Sequence, residues 1–221
     1  MAFDFKRELT VGCKGLGFEL DAQVVEQLHL YFNELKKWSK KVNLIAKGTG
    51  DFQILENHFV DSLALLKQLD EGAALVDIGT GAGFPGLVCK VARPDMKLYL
   101  VEPRAKRVSF LNHISRTLAL KNVEVKCSRI EDEIDFFKSQ TVTHITCRAV
   151  SDLATFIEMT SIFDGAAKRL CLKGPKWKEE LVEAEGQLAK HNLMFEKVDE
   201  YQLPVSGAER AIVVLTGSDK I

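Results

Sequence analysis

Four glycines, at 79, 81, 83 and 86, fall within the stretch Leu75-Val-Asp-Ile-Gly-Thr-Gly-Ala-Gly-Phe-Pro-Gly86, just after an apolar run that contains one acid, Asp77. Glycine at this density lets a backbone leave a buried strand in a sharp turn and approach a ligand with no Cβ in the way. The helix expected next would turn its unpaired N–H groups toward the same place. An acid beside such a loop suits a ligand with hydroxyls and a positive charge. S-adenosylmethionine is therefore a better first expectation than a nucleotide phosphate, with Asp77, Gly79, Gly81 and Gly83 at its methionine end.

The texture around this loop reads as an open α/β sheet. From residue 73 short β-branched runs alternate with helical stretches, the pattern of strands joined by crossover helices. Strands are expected near 74–78, 97–102, 123–127, 143–147, 168–172, 194–202 and 211–216. Helices fit at about 84–92, 104–119, 131–138, 152–163 and 176–190. Only Leu203-Pro-Val-Ser-Gly-Ala-Glu-Arg210 separates the last two strands, so they should pair antiparallel and close the sheet. Before it, amphipathic helices are expected over 22–41 and about 51–70. This gives a Rossmann-like methyltransferase domain over 72–221, with a seven-stranded, mostly parallel sheet whose last strand is antiparallel. A helical extension over 1–71 packs on it.

Composition narrows the setting. The five cysteines, at 13, 89, 127, 147 and 171, show no CxxC or His-rich spacing. That favours reduced thiols in a cytosolic protein over a disulfide framework or a zinc site. No apolar run reaches the length of a membrane span, and residues 1–8 lack the features of a signal peptide. A net charge of −1 means that any nucleic acid must be held by a local patch. A monomer is expected.

The loop alone leaves two cofactors open, because Gly81-Ala-Gly-Phe-Pro-Gly86 also satisfies the GxGxxG of dinucleotide folds. Asp77 can face an amino-acid ammonium, and Pro85 has no N–H to offer a pyrophosphate; both favour S-adenosylmethionine over NAD. Glu102, ending the second strand, can accept both ribose hydroxyls of either cofactor. The loop Cys127-Ser-Arg-Ile-Glu-Asp132 would pass over the adenine, with Ile130 and Glu131 at its edge; Ser128 also reads as the cap of the next helix, and both can hold together. After the fourth strand, Thr146-Cys-Arg-Ala-Val150 has neither the proline nor the carboxamide of amino-group methylases. Cys147 reads as a small apolar residue rather than a nucleophile. No general base is expected. Guanine N7 needs none, since it already presents a lone pair, and alignment alone can suffice. Arg148 would position cofactor, phosphate or a base edge. Lys106, Arg107, Arg129, Lys173 and Lys176 lie near strand C-terminal ends and are RNA-binding candidates, with Trp177 available for stacking. The lysines at 36, 37, 40 and 41 read as a solvated helix end. His58 reads as a structural histidine. A dinucleotide oxidoreductase and a non-catalytic nucleic-acid-binding module remain as alternatives.

Together these segments resemble one family. Leu35-Lys-Lys-Trp-Ser-Lys-Lys-Val-Asn-Leu44, His58-Phe-Val-Asp-Ser62, Asp77 to Gly86, Arg93-Pro94, Lys106-Arg-Val-Ser-Phe-Leu111, Ser128-Arg129, Arg148-Ala149, Leu172-Lys-Gly174 and Glu209-Arg210 stand in the order found in the bacterial small-subunit ribosomal RNA methyltransferase G family, also called glucose-inhibited division protein B. The resemblance runs from about residue 24 to 216. It implies methyl transfer from S-adenosylmethionine to guanine N7 at position 527 of 16S rRNA, either naked or in the assembling small subunit. It also places Gly79, Phe84, Ile130, Glu131 and Arg148 at cofactor-contacting positions. Two departures stand out: Asn57 where the family commonly has arginine, and Glu102 where many members have aspartate.

Overall fold

The computed structural model describes residues 3–148, 152–163, 165 and 167–218. Ala149 and Val150, in the run after the fourth strand, lie outside them.

Seven strands form one sheet: β1 (Ala74–Ile78), β2 (Lys97–Val101), β3 (Val123–Lys126), β4 (His144–Cys147), β5 (Lys168–Lys173), β6 (Leu193–Gln202) and β7 (Glu209–Gly217). Their order is β3-β2-β1-β4-β5-β7-β6. The first five pair in parallel, and β7 lies antiparallel between β5 and β6. The order reverses between β1 and β4, the place where open sheets of this kind bind ligands beyond their strand ends.

Period-two alternation sends the strand side chains to two cores. Leu75, Leu98, Leu100, Leu170, Ile212 and Val214 face one cluster, while Val76, Tyr99, Val101, Cys171, Val213 and Leu215 face the other. The first is covered by α1 (Phe5–Gly15), α2 (Ala22–Ser39), the helical run over 51–68, α5 (Gly86–Ala92) and α6 (Ala105–Thr117). The second is covered by α7 (Ile134–Lys138), α8 (Leu153–Met159), α9 (Trp177–Glu183) and α10 (Glu185–Lys190). Residues 3–70 thus share one apolar cluster with the sheet.

The helices differ from the sequence reading in three places, the first being that the one expected over 176–190 is two, α9 and α10. The helix α1 was not foreseen. Asp4 caps it, its side chain accepting from the N–H groups of Lys6 and Arg7, and Phe5, Leu9 and Cys13 bury one stripe. The expected helix over 51–70 is instead α3 (Asp51–Ile54), a π-helical turn (Leu55–Val60), α4 (Asp61–Leu63) and a 3-10 turn (Ala64–Gln68), continuous but re-wound. A π-turn shifts side chains around the axis. Here Phe59 and Val60 are buried, while Glu56, Asn57 and His58 bond to residues beyond the helix.

Candidate functional site

The loop after β1 carries φ of +66° at Gly79, +63° at Gly81 and +97° at Gly83, values that L side chains adopt only with strain. Gly79 and Thr80 donate to the Val101 carbonyl at 2.8 and 3.3 Å, tying the loop to the end of β2. A Cβ on Gly79 would meet nothing within 4 Å, so the backbone there faces open space. Gly83 is the opposite case: a Cβ would lie 2.5 Å from both Leu87 and the Tyr31 hydroxyl. Tyr31 in turn donates to the Ala82 carbonyl. The loop is therefore clamped from below and open above.

Asp77 is fully buried beneath it. Its Oδ2 accepts from the Thr80 hydroxyl at 2.7 Å and from the Gly86 N–H at 2.8 Å. Its Oδ1 is buried with no partner. Burial pushes the carboxyl up to about 6, opposed by those two hydrogen bonds. This corrects one expectation: the start of α5 does not turn free N–H groups outward. Gly86 gives its N–H to Asp77, and Leu87 gives its own to the Gly83 carbonyl at 2.9 Å. A pyrophosphate would find neither available.

Glu102 leaves the end of β2 and is 2% exposed. Its Oε2 accepts from Gly81 N–H at 2.9 Å and its Oε1 from Arg104 N–H at 3.0 Å, with the Arg107 guanidinium 3.5 Å away. An ionised carboxylate has about four lone-pair sites, so it braces the glycine loop with acceptor capacity to spare. Past β3, Ile130 is buried and opens a 3-10 turn (Ile130–Glu133), whereas Glu131 is exposed. Ser128 does not cap that turn. Arg129 occupies the cap position, and the Ser128 Oγ is buried without a hydrogen bond.

Arg148, at the end of β4, is held by the π-turn. It donates to the Asn57 carbonyl and, at 2.6 Å, to His58 Nδ1. Its guanidinium stands 5.1 Å from the Phe84 ring centre, and the His58 ring stacks on Phe84 at 4.9 Å. Burial lowers the Arg148 pKa, opposed by Asp61 and Asp77. Phe84 itself is 3% exposed, packed against Tyr31, His58 and Phe59. Its ring thus belongs to the core under the loop, and its N–H donates to the Thr80 carbonyl at 3.1 Å. Cys147 is buried in the second core, as expected of an apolar residue.

His58 is held neutral. Burial, then the Arg148 charge, pushes its pKa down to about 3. A depressed histidine stabilises the fold fully above its unfolded value near 6.5 and loses that contribution as pH falls toward 3. Between pH 6.5 and 5 the wild type should lose about 1–2 kcal/mol more than a His58→Asn variant, measured by urea unfolding at each pH. Equal losses would show that His58 is not held this way.

The same turn reaches the β6–β7 connection. Glu56 accepts from the N–H groups of Val205 and Ser206 at 2.7 and 2.9 Å, and Asp61 accepts from the Tyr201 hydroxyl at 2.8 Å. The segment Glu56-Asn-His-Phe-Val-Asp61 carries three of these polar anchors in a helix otherwise read as apolar, which was the available signal. Its re-winding was not legible.

The basic candidates separate. Lys106, Arg129 and Lys176 are exposed. Arg107 bridges, with Nη1 near Glu102 and Nε donating to the Asn43 carbonyl at 3.4 Å. Lys173 does not fit an RNA contact: its ammonium pairs with Glu180 at 2.7 Å and its side chain is 8% exposed. Nor is Trp177 free to stack on a base. It is buried, donates to Glu200 at 2.9 Å and lies over Phe195. Among the described residues no group of three or more His, Cys, Asp or Glu could hold a metal ion. No helix there is long and apolar enough to cross a membrane.

The family model described as rRNA small subunit methyltransferase G matches residues 24–213. A relative from Desulfotalea psychrophila, named ribosomal RNA small subunit methyltransferase G, is 64% identical over 216 residues, 97% of this chain and 100% of the relative. One of the same name from Geotalea uraniireducens is 35% identical, covering 95% of each. Among solved structures, the M. capricolum TrmK complex with S-adenosyl-homocysteine aligns with a TM-score of 0.56 at 11% identity, covering 72% of this chain and 70% of that one. A precorrin-6y C5,15-methyltransferase from Geobacter metallireducens aligns at 0.52 and 13%, covering 79% and 92%. At such identities these two speak for the fold.

Proposed function

The chain belongs to the rRNA small subunit methyltransferase G family, and from that premise we propose that it methylates N7 of a guanine in 16S rRNA, position 527 in the usual numbering, using S-adenosylmethionine. The observation that carries this reading is the loop itself: open above Gly79, with the unpartnered Oδ1 of Asp77 buried beneath it and Glu102 at its flank. These residues fit the cofactor. Asp77, Gly79, Gly81 and Gly83 would hold its amino-acid end, Glu102 the ribose, and Ile130 and Glu131 the adenosine surroundings. When bound, S-adenosylmethionine supplies a methyl group on a sulfonium, ready for direct displacement.

What the protein adds is alignment. Asp77, its carboxyl raised by burial, gains from a cation brought to its free oxygen. The Arg148 guanidinium, at the end of β4, is already oriented by Asn57 and a neutral His58. It serves to position substrate, and no residue is assigned as a base. Holding two reactants in line is worth about 7–11 kcal/mol in favourable cases, enough for an acceptor whose lone pair is already free. We place this work in the cytosol, by a monomer, on rRNA naked or in the assembling small subunit.

Titration calorimetry tests the cofactor half of the reading. S-adenosylmethionine and S-adenosylhomocysteine should bind and NAD should not. Binding of NAD alone would restore the dinucleotide alternative.

A further inference from the structure

We propose that the turn after α2, together with the start of α6, forms a ledge that docks rRNA phosphates beside the glycine loop. The inference rests on the rRNA methyltransferase reading and gives the helices before the sheet a role in holding substrate.

Two acid-free segments meet there. No aspartate or glutamate falls between Leu35 and Gly50, or between Pro103 and Val123, while each segment carries five lysines or arginines. Trp38 joins them, its ring 5.6 Å from Phe110 and 4.9 Å from His113. Arg107 bonds across to the Asn43 carbonyl at 3.4 Å. On the other side the loop after β3, which carries Arg129, abuts the first residues past β2, with Glu102 N–H donating to the Lys126 carbonyl at 3.1 Å.

Three of these ten cations are paired, Lys36 with Asp51, Lys37 with Glu34 and Arg107 with Glu102. Lys40, Lys41, Lys47, Arg104, Lys106 and Arg129 are exposed. None makes an ion pair among the described residues. On other faces Lys173 pairs with Glu180, Lys178 with Glu200, Lys190 with Glu158 and Arg210 with Asp61, while Lys67, Lys176 and Lys197 stand singly on separate elements. A chain of net charge −1 therefore gathers unneutralised positive charge on one side of its candidate site. Unpaired cations in a row favour a polyanion through release of its counterions. A helix end solvated for its own sake would not need a second acid-free segment against it. The lysines at 40 and 41 thus belong with Lys106 and Arg129, and Lys173 does not.

The test compares two triple variants. One carries Lys40→Ala, Lys41→Ala and Lys47→Ala; the other carries Lys67→Ala, Lys138→Ala and Lys197→Ala, the same charge change on other elements. Affinity for 16S rRNA is measured across a salt series, with methylation kinetics and S-adenosylmethionine calorimetry alongside. For the ledge variant the slope of log K against log salt should fall by about 2, with affinity down about 10–100-fold. Its KM for rRNA should rise while kcat and cofactor affinity stay at wild-type values. The control triple should change the slope little. A ledge variant with wild-type slope and affinity, or a control that loses as much, overturns the ledge alone. A wild type that binds cofactor but not rRNA overturns the parent reading as well.

Discussion

Gly83→Ala is expected to destabilise the protein by about 2–5 kcal/mol and to abolish S-adenosylmethionine binding. Two costs add. At φ +97° a side chain brings a left-handed penalty of about 1–2 kcal/mol. The new methyl would also sit 2.5 Å from Leu87 and from the Tyr31 hydroxyl, and overpacking of this kind costs about 1–3 kcal/mol. Tyr31 is fully buried and bonded to the Ala82 carbonyl, so it cannot yield without moving α2 off the loop. Gly79→Ala makes the useful comparison. It shares the positive φ but meets no neighbour, so only the backbone penalty of about 1–2 kcal/mol applies. Its methyl projects into the space proposed for the cofactor, so binding should weaken more than stability. Chemical denaturation and calorimetry on both variants separate the two effects. A Gly83→Ala protein of wild-type stability would contradict the packing described.

Glu102→Ala should weaken S-adenosylmethionine binding by about 100-fold or more. Each hydrogen bond to a charged group contributes about 1.5–3 kcal/mol, and the proposed ribose contact has two. The truncation also strips acceptors from the Gly81 and Arg104 N–H groups, loosening the loop. Glu102→Gln separates these roles, since it keeps one acceptor for the loop and loses the charge. An intermediate loss is expected for it. If Glu102→Ala bound the cofactor as tightly as wild type, the ribose assignment would fall.

The sheet was legible because short apolar, β-branched runs set between helical stretches are a local signal; Leu98-Tyr-Leu-Val101 is one such run, buried on both faces, and its side chains divide between the two cores. The α1 helix carried a local signal too, Asp4 followed by Phe5, Leu9 and Cys13, though Gly12 and Gly15 dilute it. Gly12 is there because α1 runs close over the π-turn: a Cβ would lie 2.8 Å from Val60. The remaining misreadings concern contacts between separate elements. Phe84 reads as a loop residue until Tyr31 and Phe59 are brought against it. Lys173 and Trp177 read as surface groups until Glu180, Glu200 and Phe195 engage them. The residue types at the loop, the strand ends and Arg148 could be read ahead of the fold. Which of their atoms were already spoken for, as the Gly86 N–H is by Asp77, could not.

Methyl transfer to guanine N7 is open to one direct measurement. The protein is incubated with tritiated S-adenosylmethionine and 16S rRNA lacking the modification, both naked and in small-subunit particles. The labelled rRNA is then reduced and cleaved at N7-methylguanine. Tritium is expected in the rRNA, with a single new cleavage at the guanine numbered 527. Tritium without cleavage at that guanine, or no transfer to either form of the rRNA by protein that binds the cofactor, would contradict methyl transfer to its N7.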